Sequence, residues 1–89
     1  MVRRFDISVY GRVQRIGFRF STMESAYRFG VKGFVENKPD GSVHIEAEGD
    51  VESLEKFMDW CRKGPIGARV DKLETKESEP IHCRTFEIR

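Results

Sequence analysis

Arg12, Arg15 and Arg19 lie on one short stretch, GRVQRIGFR, interleaved with Gly11 and Gly17. A guanidinium is a planar fork of N–H donors that matches phosphate oxygens. Glycine allows a positive φ, which lets successive backbone amides turn toward one anion. A helix-like pattern follows from Phe18, so the free N–H groups and the positive dipole end of a helix arrive at the same place. Arg19 falls in that first turn, where an exposed cation costs about 0.3–1 kcal/mol. A bound anion would reverse the cost. Capture of a phosphate-like group is the chemistry this stretch could do; the alternative is three solvated surface arginines.

The elements around the stretch must hold it in place. Phe5, Ile7 and Val9 alternate with Asp6, Ser8 and Tyr10, the period of a half-buried strand. Phe18, Thr22, Met23, Ala26 and Phe29 are spaced for one face of a helix that stops at Gly30. Val31 to Asn37 reads as a second strand, Lys38-Pro39-Asp40-Gly41 as a turn, and Val43, Ile45 and Ala47 as alternate positions of a third strand. Asp50 is a candidate N-cap, with Glu52 in the first turn and Val51, Leu54, Phe57, Met58 and Cys61 as a buried stripe before Gly64-Pro65. Val70 and Leu73 break strict alternation, as a bulge would make them do. Phe86 and Ile88 alternate in a closing strand. The order β-α-β-β-α-β predicts an α+β, ferredoxin-like split βαβ fold. Two helices would cover one face of a four- to five-stranded, mostly antiparallel sheet. Residues 1–89 are expected to form one domain.

That topology supplies a partner for the arginines. In a right-handed split βαβ unit the first two strands run parallel, so their C-terminal ends share one sheet edge. The first ends at the arginine loop and the second at Asn37. Asn37 has the parity of Val31, Gly33 and Val35, which points its carboxamide toward the helix-covered face. The competing role is a strand-end asparagine that ties down the Pro-Asp-Gly turn.

Composition narrows the classes. Sixteen Lys and Arg against fifteen Asp and Glu give a net charge of only +1, so bulk electrostatics predicts no nucleic-acid or membrane partner. No apolar run approaches the roughly 20 residues of a membrane span, and the start of the chain lacks a signal-peptide core. A cytoplasmic monomer is expected, with Cys61 and Cys83 as free thiols, although a single disulfide between them is open. His44 and His82 lack ligand spacing, so neither a metal site nor a cofactor is expected.

The chain resembles the acylphosphatase family over essentially its full length. Gly11-Arg12-Val13-Gln14-x-Ile16-Gly17-Phe18-Arg19 is similar to the family's phosphate loop and arginine. Gly30-Val31-Lys32-Gly33-Phe34-Val35-Glu36-Asn37, followed by Asp40-Gly41-Ser42-Val43, is similar to its second signature. The resemblance implies that Arg19 binds phosphate, that Asn37 orients water, and that the backbone of Val13, Gln14, Arg15, Ile16 and Gly17 cradles phosphoryl oxygens. It implies hydrolysis of a small-molecule acyl phosphate, with orthophosphate as product and inhibitor. Two positions depart from the pattern: Phe34 stands where tryptophan is frequent, and Arg15 where glycine is common. If that second position needs a positive φ, arginine there costs about 1–2 kcal/mol.

An acyl phosphate suits so small a set of groups. Its leaving carboxylate has a conjugate acid of pKa about 4, so no general acid is required. Phosphoryl transfer then needs mainly positioning and charge stabilisation. Two other classes fit less of the sequence. One is a non-catalytic phosphate- or anion-binding regulatory module of the same fold. The other is an RNA-binding domain: Lys32-Gly33-Phe34 opens like an RNP1 motif, but Val35-Glu36-Asn37 does not continue it.

Overall fold

Alternation along strands, as in residues 5–9 and 43–47, sorts apolar side chains to one face of a single sheet, and two helices cover that face. The computed structural model describes residues Met1–Arg89. It contains β1 (Arg3–Arg12), α1 (Phe18–Phe29), β2 (Lys32–Asn37), β3 (Val43–Gly49), α2 (Val51–Lys63), β4 (Arg69–Ser78) and β5 (Phe86–Ile88). The strand order is β4-β1-β3-β2-β5, and every neighbouring pair is antiparallel except β2 with β5. This is the expected ferredoxin-like order with the short β5 added beside β2. No helix is long and apolar enough to cross a membrane.

Register sets the core. Ile7 lies opposite Ile45 and Val9 opposite Val43, all fully buried. They meet Phe18 and Ala26 of α1 and Leu54, Phe57 and Cys61 of α2. Phe57 packs edge-on against Phe86 at 6.0 Å between ring centroids, which draws β5 under the helices. Val51 departs from the expected stripe. As the first residue of α2 it is 41% exposed, and the buried face begins one turn later at Leu54.

The expected bulge lies where β4 pairs with β1. Tyr10 faces Lys72 but Gly11 faces Val70, so Asp71 is the extra residue and both Val70 and Leu73 stay half-buried. Gly11 has φ 132°, and a Cβ there would run into the carbonyl oxygen of Arg69. The close approach requires glycine.

Both β1 and β2 run antiparallel to β3, so their C-terminal ends meet at one edge of the sheet. The opposite edge is closed by residues 79–85, which cross from β4 to β5. Glu48 pins that crossing: its carboxylate accepts the amides of Ile81 at 2.6 Å and Cys83 at 2.9 Å and faces Arg4 Nη1 at 3.1 Å. Arg4 also pairs with Glu46. Burial alone would raise the Glu48 pKa, but the two amides and Arg4 outweigh it and hold the carboxyl below its ordinary range.

Candidate active site

The loop between β1 and α1 turns through two left-handed residues, Arg15 at φ 65° and Gly17 at φ 78°. Arg15 therefore takes up the conformation for which glycine is favoured. Gly17 is the N-cap of α1, and no side chain caps that terminus. The first turn contains no acidic residue, and the helix bonds begin with Ser21 N–H donating to Gly17 O at 3.0 Å. A Cβ built on Gly17 would meet nothing within 4 Å, so the space before the helix is open. Backbone donors and a positive dipole end face it.

Gln14 fixes this loop to the β2–β3 turn. Its Nε2 donates to Lys38 O at 2.8 Å and to Ser42 O at 2.9 Å. The turn is closed by Asp40, whose Oδ1 accepts the Ser42 hydroxyl at 2.6 Å and the Ser42 amide at 2.9 Å. Those two bonds hold the Asp40 carboxyl below its usual pKa. Asn37 takes no part in tying the turn, which answers the competing role considered for it. Its Oδ1 is buried and has no hydrogen-bond partner within the protein. Leaving a buried oxygen unpaired costs about 1–3 kcal/mol, so such an atom calls for a reason.

Asn37 and Arg19 share one cavity of about 180 Å³, lined also by Val13, Arg15, Gly17, Phe18, Phe20 and Ile88. Two guanidinium groups and no carboxylate face it, so it is electrostatically an anion site. Arg19 is held from the residue after β5: its Nη1 donates to the main-chain oxygen of Arg89 at 3.0 Å. A larger cavity of about 400 Å³ lies between the helices, among Ser21, Glu24, Ser25, Arg28, Trp60 and Pro65. It includes neither Arg19 nor Asn37.

The structure thus brings together Val13, Arg15, Gly17, Arg19 and Asn37 of the expected site. Gln14 serves as the bolt just described, and Ile16 packs against the core. Neither side chain lines the cavity. Arg12 closes β1 opposite Arg69 and is exposed, outside the site. Phe20, Ile88 and the Arg89 main chain were missed by the sequence reading. Phe20 carried a signal, an aromatic residue off the apolar stripe of α1. Ile88 carried none, since it fits the alternation of β5.

The other reactive side chains lie elsewhere. Both cysteines are free; Cys61 is buried in the core, where desolvation pushes its thiol pKa up. No group of three or more His, Cys, Asp or Glu side chains is arranged to hold a metal ion.

Comparison with known proteins agrees with this arrangement. A family model described as acylphosphatase matches residues 5–88. An acylphosphatase of Yersinia pseudotuberculosis is 48% identical over 82 residues, covering 91% of this chain and 89% of that protein. One of Methanocella arvoryzae is 38% identical over 88 residues, covering 99% and 100%. The crystal structure of acylphosphatase from Bacillus subtilis superposes with a TM-score of 0.95 at 32% identity, covering 100% of this chain and 99% of that one. The chain belongs to the acylphosphatase family and is an enzyme of that class.

Proposed function

We propose that the chain hydrolyses small-molecule acyl phosphates to a carboxylate and orthophosphate without a metal ion, and that Arg19 and Asn37 carry the reaction. The phosphoryl group sits before α1, where the amides of residues 13–17 and the Arg19 guanidinium bind its oxygens. Arg15 adds positive charge at the side. Water donates a hydrogen bond to Asn37 Oδ1 and is aimed at phosphorus. A P–O bond to water forms as the P–O bond to the acyl oxygen breaks, and the electron pair leaves on the carboxylate. The water's proton passes to a phosphate oxygen of the substrate. No base of the protein is needed.

The observation that carries this reading is the buried, partnerless Asn37 Oδ1 in a cavity with Arg19. It supplies an acceptor where the reaction needs water and donors where it needs an anion. Orthophosphate, as product, competes for the same donors. A non-catalytic binding module would require Arg15 to spoil the loop, and its φ of 65° supports a working loop instead. The protein acts as a cytoplasmic monomer in this account, and residues 1–89 form one domain.

Hydrolysis of benzoyl phosphate, followed by loss of its absorbance, tests the proposal. Turnover that is saturable, inhibited by orthophosphate and unchanged by EDTA is expected. Loss of turnover with EDTA and recovery with a divalent ion would overturn the metal-free mechanism. Orthophosphate binding without any turnover would assign the chain to the binding class.

A further inference from the structure

The phosphate donors account for only part of the cavity wall. Four of its eight lining residues are apolar. Val13 and Phe18 are nearly fully buried and belong to the core as much as to the site. Phe20 and Ile88 differ, being 56% and 40% exposed. They come from separate elements, the first turn of α1 and the end of β5, yet they line the same small cavity. Phe20 directly follows Arg19, and Ile88 directly precedes Arg89, whose main-chain oxygen holds Arg19. Each apolar rim residue is therefore next in sequence to one partner of the contact that holds the phosphate-binding arginine.

We infer that Phe20 and Ile88 form the acyl-group subsite, and that the preferred substrates are acyl phosphates with a bulky apolar or aromatic acyl group. The inference rests on the proposed hydrolysis and extends it from the phosphate to the other half of the substrate. With the phosphoryl group against the amides before α1, the acyl carbon must leave toward the mouth of the cavity. There it meets an exposed ring and an exposed branched side chain, whose apolar surface is covered only when an apolar group lies on it. A small acyl group such as acetyl is too short to cover that surface. A cationic acyl group would find no carboxylate among the lining residues to pair with.

The test compares benzoyl phosphate with acetyl phosphate in the wild type, Phe20→Ala and Phe20→Ala/Ile88→Ala. The ratio of their kcat/KM values cancels any general damage to the site. Phe20→Ala should lower the benzoyl-to-acetyl ratio about tenfold, as loss of partial burial of an aromatic ring does, mostly through KM; the double variant should lower it further. A ratio unchanged within twofold in both variants overturns the subsite. Binding of phenylphosphonate against methylphosphonate, measured calorimetrically, keeps the inference separate from catalysis. Tighter phenylphosphonate binding that is lost in Phe20→Ala supports the subsite even if neither acyl phosphate is turned over, a result that would sink the proposed hydrolysis alone. Equal affinity for the two phosphonates in the wild type overturns the subsite whatever the activity.

Discussion

The two ends of the sheet solve the same problem in opposite ways. At one end α2 starts: Asp50 caps it by accepting the Ser53 amide at 2.8 Å, and Glu52 places a negative charge in its first turn. Beside it the buried carboxylate of Glu48 has an amide, a second amide and a guanidinium. At the other end α1 starts on Gly17 with no side-chain cap and no acid, and it carries Arg19 in its first turn. Beside it the buried oxygen of Asn37 has no partner. Both ends offer a helix N-terminus and a buried oxygen; only one leaves them unfilled. The filled end contributes stability. The other end goes without about 1 kcal/mol of side-chain capping, and Asn37 Oδ1 has no partner within the protein, which fits the proposed phosphate and water site.

Removing groups at the unfilled end should cost activity and little stability. Arg19→Gln is expected to lower kcat about 100-fold or more and to weaken orthophosphate inhibition as well, because donors to the transferred oxygens are lost. Asn37→Ala should lower kcat by a similar factor while the orthophosphate inhibition constant stays near wild type. It should also unfold at a denaturant concentration close to that of wild type, since Asn37 Oδ1 makes no hydrogen bond within the protein. Near-wild-type turnover in Asn37→Ala would remove the water-orienting role.

At the filled end the signs reverse. Glu48→Gln should lose about 2–3 kcal/mol in denaturant unfolding at neutral pH, because Arg4 and two amides lose their anionic partner. The folded pKa of Glu48 lies below the reference value of 4.5, so its contribution is complete above that pH and fades as pH falls through the folded pKa. The gap between variant and wild type should therefore narrow below pH 4.5 and stay constant above it. A smaller loss, about 1 kcal/mol, is expected for Asp50→Ala, with kcat/KM unchanged.

Arg15 carries the smallest expected effect because two contributions oppose. Its left-handed backbone costs about 1–2 kcal/mol, and glycine returns much of that gain as unfolded-state entropy. Arg15→Gly should therefore stabilise by less than about 1 kcal/mol. Its lost cation should raise KM or the orthophosphate inhibition constant at low salt, with kcat unchanged or higher, and the difference should shrink across a salt series. An inactive wild type that gains activity in Arg15→Gly would mean that the native loop is blocked.

Local pattern made much of this legible in the sequence. Alternation gave β1 and β3, while Gly30 and Gly64 with Pro65 marked the helix ends. Parity along β2 directed Asn37 to the helix side, where it now lines the cavity. The resemblance to the acylphosphatase family singled out Arg15 as a residue at a position where glycine is common. What stayed hidden depends on atoms far apart in the chain. Gln14 reaching Lys38 and Ser42, Arg19 reaching Arg89, and Glu48 gathering Ile81 and Cys83 leave no spacing to read, because each partner is chosen by strand register. Ile88 was hidden differently: core and rim positions on β5 share one parity, and only the end of the sheet separates them.

Titration of orthophosphate into the protein, followed through backbone amide resonances, bears most directly on the contrast between the two ends. Saturable shifts are expected for the amides of Val13 through Arg19, with those of Val51 through Leu54 unmoved. An anion that shifted the start of α2 equally, or moved neither terminus, would contradict the assignment of the open end as the site.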